Sequence, residues 1–157
     1  MTRDAASAAQ VRAADPARST WVSANAGSGK TRVLTDRVAR MLMAGTDPAR
    51  ILCLTYTKAA AAEMQNRLFR RLGGWAMQPD EALRAALADL GVADAPDAGA
   101  IDAARLARAR RLFAQAIETP GGLRILTIHA FCAALLRRFP LEAGVSPASA
   151  PAPWATT

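Results

Sequence analysis

At 157 residues the chain has room for one hydrophobic core of the usual size, about 100 to 150 residues, and not for a multidomain machine. Hydrophobic residues make up 52% and charged residues 21%, which excludes a disordered polyelectrolyte, and no apolar run approaches the roughly 18 residues of a membrane-spanning helix. A formal charge of +7 and a pI near 10.9 favour a polyanionic partner, nucleic acid or an anionic surface.

The amino terminus carries acidic and polar residues where a signal peptide would be apolar, so a cytoplasmic location without a membrane partner is expected. Residues 1–19 form a polar, alanine-rich segment. Thr20 to Ala24 (TWVSA) then reads as a buried strand entering a glycine-rich loop. From Thr31 the apolar residues Leu34, Val38, Met41 and Leu42 follow a helical period that Gly45 and Pro48 end. Ile51 to Tyr56 (ILCLTY) has the length of a second strand, and Met64, Leu68 and Leu72 mark a helix expected to stop at Gly73 and Gly74.

Residues 75–122 read as a helical insertion. Leu83, Leu87 and Leu90 mark one helix there, and Leu106, Ala109, Phe113 and Ile117 mark another. A Gly, Asp, Ala and Pro-rich connection, Gly91 to Ala100, separates them. Arg105, Arg108 and Arg111 share one side of the second helix, a solvated face before it is a nucleic-acid stripe. Leu123 to Ile128 (LRILTI) is a third strand candidate, followed by a helix marked by Phe131, Leu135 and Phe139 that Pro140 closes. Strands alternating with helices imply an α/β fold, a parallel sheet with flanking helices, whose ligands bind at the carboxyl ends of the strands. Cys53 and Cys132 lie in apolar segments without metal-ligand spacing and are expected to be buried, reduced thiols.

The stretch ANAGSGKT, Ala24 to Thr31, matches a P-loop except that Ala24 replaces the first glycine. Gly27 and Gly29 let backbone N–H groups turn toward phosphate oxygens, and the following helix adds its positive end. ATP-binding positions are therefore Ala24, Asn25, Ala26, Gly27, Ser28, Gly29, Lys30, Thr31 and the adjoining Arg32. Lys30 is expected to reach the β- and γ-phosphates and Thr31 to ligate Mg2+, the two catalytic assignments. The chain has two lysines, Lys30 and Lys58, against eighteen arginines, so each marks a place where a compact ammonium is favoured.

Gln10, ANAGSGKT, LTYTKAAAAEM (Leu54 to Met64) and LTIHAFC (Leu126 to Cys132) occur in that order, and together they resemble the UvrD-like DNA helicases of superfamily one. Their wording is similar to that of AddA, the helicase–nuclease subunits of bacterial AddAB double-strand-break repair enzymes. The resemblance covers about residues 10–147. It implies a RecA-like P-loop domain over residues 20–140, ATP and Mg2+ as cofactors, single- and double-stranded DNA as substrates, and an AddB-like partner subunit. It also implies that Gln10 contacts adenine and that Thr55, Tyr56, Thr57, Lys58, Thr127 and His129 contact DNA. Tyr56 offers a ring for base stacking, with a packed core aromatic as the alternative, and His129 is otherwise a hydrogen-bonded structural histidine. Glu63 and Arg67 also fit the family pattern, and equally an ordinary i, i+4 helix pair.

The sequence departs from the family in several places. It shows no carboxylate ending a second buried strand, no activating glutamate, no second RecA-like domain with its arginine fingers and no nuclease region. Residues 141–157 form a divergent Ala/Pro-rich tail. The expectation is a piece of a helicase gene, by truncation, frameshift or design, that leaves some apolar surface uncovered and, alone, binds ATP weakly or not at all and hydrolyses it poorly. Two alternatives remain open: a non-catalytic basic nucleic-acid-binding module with a vestigial P-loop, and a small P-loop kinase.

Overall fold

The computed structural model describes residues 5–23, 25, 27, 29–92, 100–120 and 122–144. Ala24, Ala26 and Ser28 of the glycine-rich loop, residues 93–99 of the expected connection, and the tail from 145 with Trp154 lie outside the described residues.

The elements in chain order are helix α1 (Ala5–Ala13), α2 (Lys30–Met43), strand β1 (Leu52–Thr55), α3 (Lys58–Met77), α4 (Asp80–Asp89), α5 (Ala103–Glu118), β2 (Arg124–Thr127) and α6 (Ile128–Arg138). The two strands pair in parallel, Leu52 opposite Arg124 through Thr55 opposite Thr127. The result is a helix-rich α/β fold with a small parallel sheet.

Helix α3 is the hub, packing against α2, α5 and both strands. Met64, Leu68, Leu72 and Trp75 recur at three- and four-residue spacing and are all buried, because that spacing puts them on one stripe. Leu83 and Leu87 of α4, Leu106, Ala109, Leu112 and Ala116 of α5, and Val38, Ala39 and Leu42 of α2 close around it. From the sheet, Cys53 and Ile125 point into this core, while Leu52 and Leu54 on the opposite face are 44% and 41% exposed. Helix α2 stops where glycine permits a left-handed turn: Gly45 has φ 93°, its N–H donates to Leu42 O and that of Thr46 to Met41 O, each at 3.0 Å.

Several expectations are corrected. The first strand does not form: residues 20–23 are exposed and outside the sheet, and Trp21 is 93% exposed. Arg37 of α2 explains this, because its guanidinium binds the carbonyls of Asp15 and Arg18 at 2.6 and 2.7 Å and fastens the incoming chain to α2 instead of the sheet. Helix α3 continues through Gly73 and Gly74 to Met77. Two helical glycines cost about 1 kcal/mol each relative to alanine, and burial of Trp75 offsets them. Gly73 also lies against the Phe113 ring, 3.5 Å from where its Cβ would sit. Leu34 and Ile117 turn outward from their helices, so the buried stripes are centred on Val33, Val38 and Leu42 and on Leu112 and Ala116. Cys132 is exposed; Cys53 alone is buried, and burial pushes its thiol pKa up. Helix α6 forms as expected but buries no residue among those described, leaving Leu135, Leu136 and Phe139 roughly half exposed.

Leu68→Ala is expected to destabilise the chain by about 2–5 kcal/mol in denaturant unfolding, while Leu135→Ala changes it by less than about 0.5 kcal/mol. In the folded protein a thiol-specific reagent at neutral pH should label Cys132 quickly and Cys53 only on unfolding, read as one fast equivalent followed by a second in denaturant.

Candidate nucleotide loop and nucleic-acid interface

The glycine-rich loop ends at Gly29, which caps α2 in the left-handed conformation, φ 86° and ψ 15°, and Gly27 before it has φ 79°. A side chain at either position would be strained, so the glycines serve the turn itself. No side chain caps α2, and the N–H groups of its first turn precede the helix's own ladder, at the end of the helix where the dipole is positive. The Lys30 ammonium donates to the Asn25 carbonyl at 2.6 Å, which folds it back over the loop. Thr31 is exposed on the first turn.

Helix α1 brings Gln10 to this loop: a Cβ built on Gly29 would stand 3.1 Å from Gln10 Nε2. Two arginines of α2 hold α1 there. Arg40, 7% exposed, donates to the Val11 carbonyl at 2.9 Å and lies 3.9 Å from the Asp15 carboxylate, and Arg37 takes the Asp15 and Arg18 carbonyls. A second buried charge, Asp36, bridges the helices: it pairs with Arg71 of α3 and lies 3.7 Å from Arg32. Sequence reasoning missed these roles. The signal was present, since Val33, Asp36 and Arg40 are spaced i, i+3, i+7 and share one helical stripe, placing an acid and a cation in register with the apolar face.

The second site is built by the sheet. The register Thr55 opposite Thr127 makes both strands end level, and each runs straight into a helix. The threonines that end these motifs are N-caps: Thr57 Oγ1 accepts from Ala60 N–H, and Thr127 Oγ1 from Ala130 N–H, both at 3.1 Å. Thr55 Oγ1 donates toward the carbonyls of Thr57 at 3.0 Å and Leu126 at 3.3 Å, joining the two strand ends. Above them Tyr56 and His129 meet edge to face, ring centroids 6.4 Å apart at 66°. Tyr56 is 79% exposed, so it is not a core aromatic, and Lys58 is exposed on the first turn of α3. Residues from two distant sequence motifs thus share one ledge, with exposed aromatic, imidazole and ammonium groups suited to stacking on bases and contacting phosphates.

The arginine stripe of α5 resolves differently. Arg108 donates to the Met43 carbonyl at the end of α2 at 3.1 Å, a cation on a helix carboxyl terminus, while Arg111 stays exposed. Among the described residues no three His, Cys, Asp or Glu side chains are grouped to hold a metal. No helix among them is long and apolar enough to cross a membrane.

A model of the UvrD/REP helicase N-terminal domain matches residues 5–151, a range that contains the loop and both strand ends. The chain belongs to this helicase family. Among curated relatives of this UvrD/REP-type domain, the AddA-type ATP-dependent helicase/nuclease protein of Lactobacillus gasseri is 40% identical over 82 residues, 51% of the chain and 7% of the relative. Its namesakes from Lactobacillus acidophilus and Enterococcus faecalis are 33% identical over 126 residues and 37% identical over 118 residues. Those alignments cover 80% and 75% of the chain but 8% and 7% of the relatives, so the chain spans less than a tenth of the length of the curated relatives it matches. No solved structure matches it at a significant level.

Asp36→Asn keeps the shape of the buried side chain but removes the charge that Arg71 pairs with. It is expected to lower unfolding free energy by about 1–3 kcal/mol, measured by denaturant titration, and a loss below about 0.5 kcal/mol would show that the pair does not tie α2 to α3.

Proposed function

We propose that this chain forms part of the ATP-binding, single-strand-gripping portion of a DNA helicase motor with a RecA-like P-loop fold over residues 20–140. It would act within a helicase–nuclease enzyme in double-strand-break repair and recombination, in the cytoplasm, beside an AddB-like partner. One observation carries the reading: the Thr55–Lys58 and Thr127–His129 motifs, far apart in sequence, converge on one exposed ledge at the carboxyl ends of parallel strands.

In this reading the triphosphate lies against the amino terminus of α2, where Gly27 and Gly29 allow close backbone approach and Lys30 exchanges its carbonyl partner for phosphate oxygens. Gln10, beside Gly29, lies within reach of the nucleotide, and its amide offers both donor and acceptor to adenine. The donor set fits a phosphate-bound Mg2+ at one point, the exposed Thr31 hydroxyl, the remaining ligands coming from phosphates and water. Such an ion would neutralise charge on the transferring phosphoryl group. On the ledge, Tyr56 stacks on a base and Lys58 neutralises a phosphate, with His129 supporting the Tyr56 ring. Duplex unwinding and nucleolytic end resection belong, in this reading, to the whole enzyme.

The test is a titration of the purified chain with a fluorescent ATP analogue, with and without oligo-dT, comparing wild type with Lys30→Ala. The expected result is binding by wild type, a loss of at least about ten-fold in Lys30→Ala, and a shift in nucleotide affinity when oligo-dT is present. DNA binding that ignores both nucleotide and Lys30→Ala would instead identify a basic nucleic-acid-binding module.

A further inference from the structure

The ledge does not end at Lys58. Along α3 the residues Lys58, Ala62, Asn66 and Arg70 follow at four-residue spacing, and all four are at least partly exposed. At about 1.5 Å per residue this row extends about 18 Å from the ledge. It leads to an open groove of about 420 Å3 between α3 and α5, lined by Asn66, Phe69, Arg70, Gly73 and Phe113. That volume lies within the range of about 300–1,000 Å3 common to small-ligand sites.

The lining has a particular chemistry. Phe69 and Phe113 meet edge to face, centroids 6.3 Å apart at 87°, so the rings do not stack on each other and both stay partly exposed. Gly73 contributes no side chain, which keeps the floor beside Phe113 low. At the rim, Arg70 Nε donates to the Asn66 carbonyl at 3.3 Å, and among the described residues neither the Asn66 amide nor the terminal guanidinium nitrogens of Arg70 have a partner. An aromatic floor, an amide able to pair with a base edge and a guanidinium for a phosphate are what an unstacked nucleotide requires.

We propose that this groove is a second base-binding site, taking one unstacked base of a single strand that runs along the exposed row of α3 from nucleotides on the Tyr56–His129 ledge. Its charge suits that occupant, in a chain of net charge +7, and the exposed row on α3 makes it continuous with the ledge. The inference rests on the proposed single-strand binding at that ledge. Asn66 and Arg70 then act on strands long enough to reach both sites.

The experiment measures binding of the full chain to fluorescent oligo-dT of about four and about twelve nucleotides, for wild type, Tyr56→Ala and the Asn66→Ala/Arg70→Ala double variant. The exposed positions of the double variant keep the fold intact, which circular dichroism checks. The expected result is that Tyr56→Ala weakens both lengths, whereas the double variant weakens only the longer strand, by about ten-fold. Bromodeoxyuridine placed along the longer strand should photo-cross-link to a peptide containing Phe69 or Phe113. A double variant that binds the longer strand as wild type does, with cross-links confined to the ledge, would overturn the groove while leaving the ledge in place. If wild type binds neither strand, the single-strand reading itself falls, and the groove with it.

Discussion

The parallel pairing of Leu52–Thr55 with Arg124–Thr127 is the constraint on which the candidate site depends. Parallel strands cannot be joined by a tight turn, so the chain must leave one end and return to the other through a long crossover. Here α3, α4 and α5 make that excursion, and their apolar stripes form most of the core. The register then decides what meets at the far end. A slip of one residue would send Ile125 outward and Leu126 inward, and would move Thr127 and His129 out of line with Thr55 and Tyr56. Core packing and the geometry of the ledge are therefore selected by the same pairing.

Helix α2 carries a second set of constraints at close quarters. Its amino terminus follows the glycine-rich loop, its middle holds the buried Asp36 that pairs with α3, and its arginines bind the carbonyls of the preceding chain. Burying charged groups is favourable only when they are matched, and each of these finds its partner on a different segment. The helix thereby fixes α1 and α3 relative to the loop through matched charges as well as through its apolar stripe of Val38, Ala39 and Leu42.

Much of this was legible in the sequence, and the exceptions have physical causes. The helices that become α2, α3 and α6 follow from periodicity, though not the end of α3, and both observed strands coincide with apolar runs. The run at Thr20 carried the same signal but stays outside the sheet, because apolar composition measures a preference for burial and does not specify a ladder partner. The double glycine at Gly73 was misleading because local propensity says nothing of Trp75 beyond it or Phe113 across from it. The motifs at the two strand ends were readable individually. Their convergence, and the arginine clasp on α1, arise from contacts between segments far apart in the chain, which spacing alone does not encode.

One consequence follows from α6. An eleven-residue helix is shorter than the about 12–15 residues at which isolated helices become marginal in water, and this one buries none of its side chains among the described residues. Its cohesion comes from the Thr127 cap, its backbone ladder and a light packing against the two strands. His129 rides on its first turn, whereas Tyr56 precedes a helix anchored through the core. The two halves of the ledge thus differ in anchoring: Tyr56 is tied to a helix buried in the core, His129 to one whose side chains stay at least partly exposed.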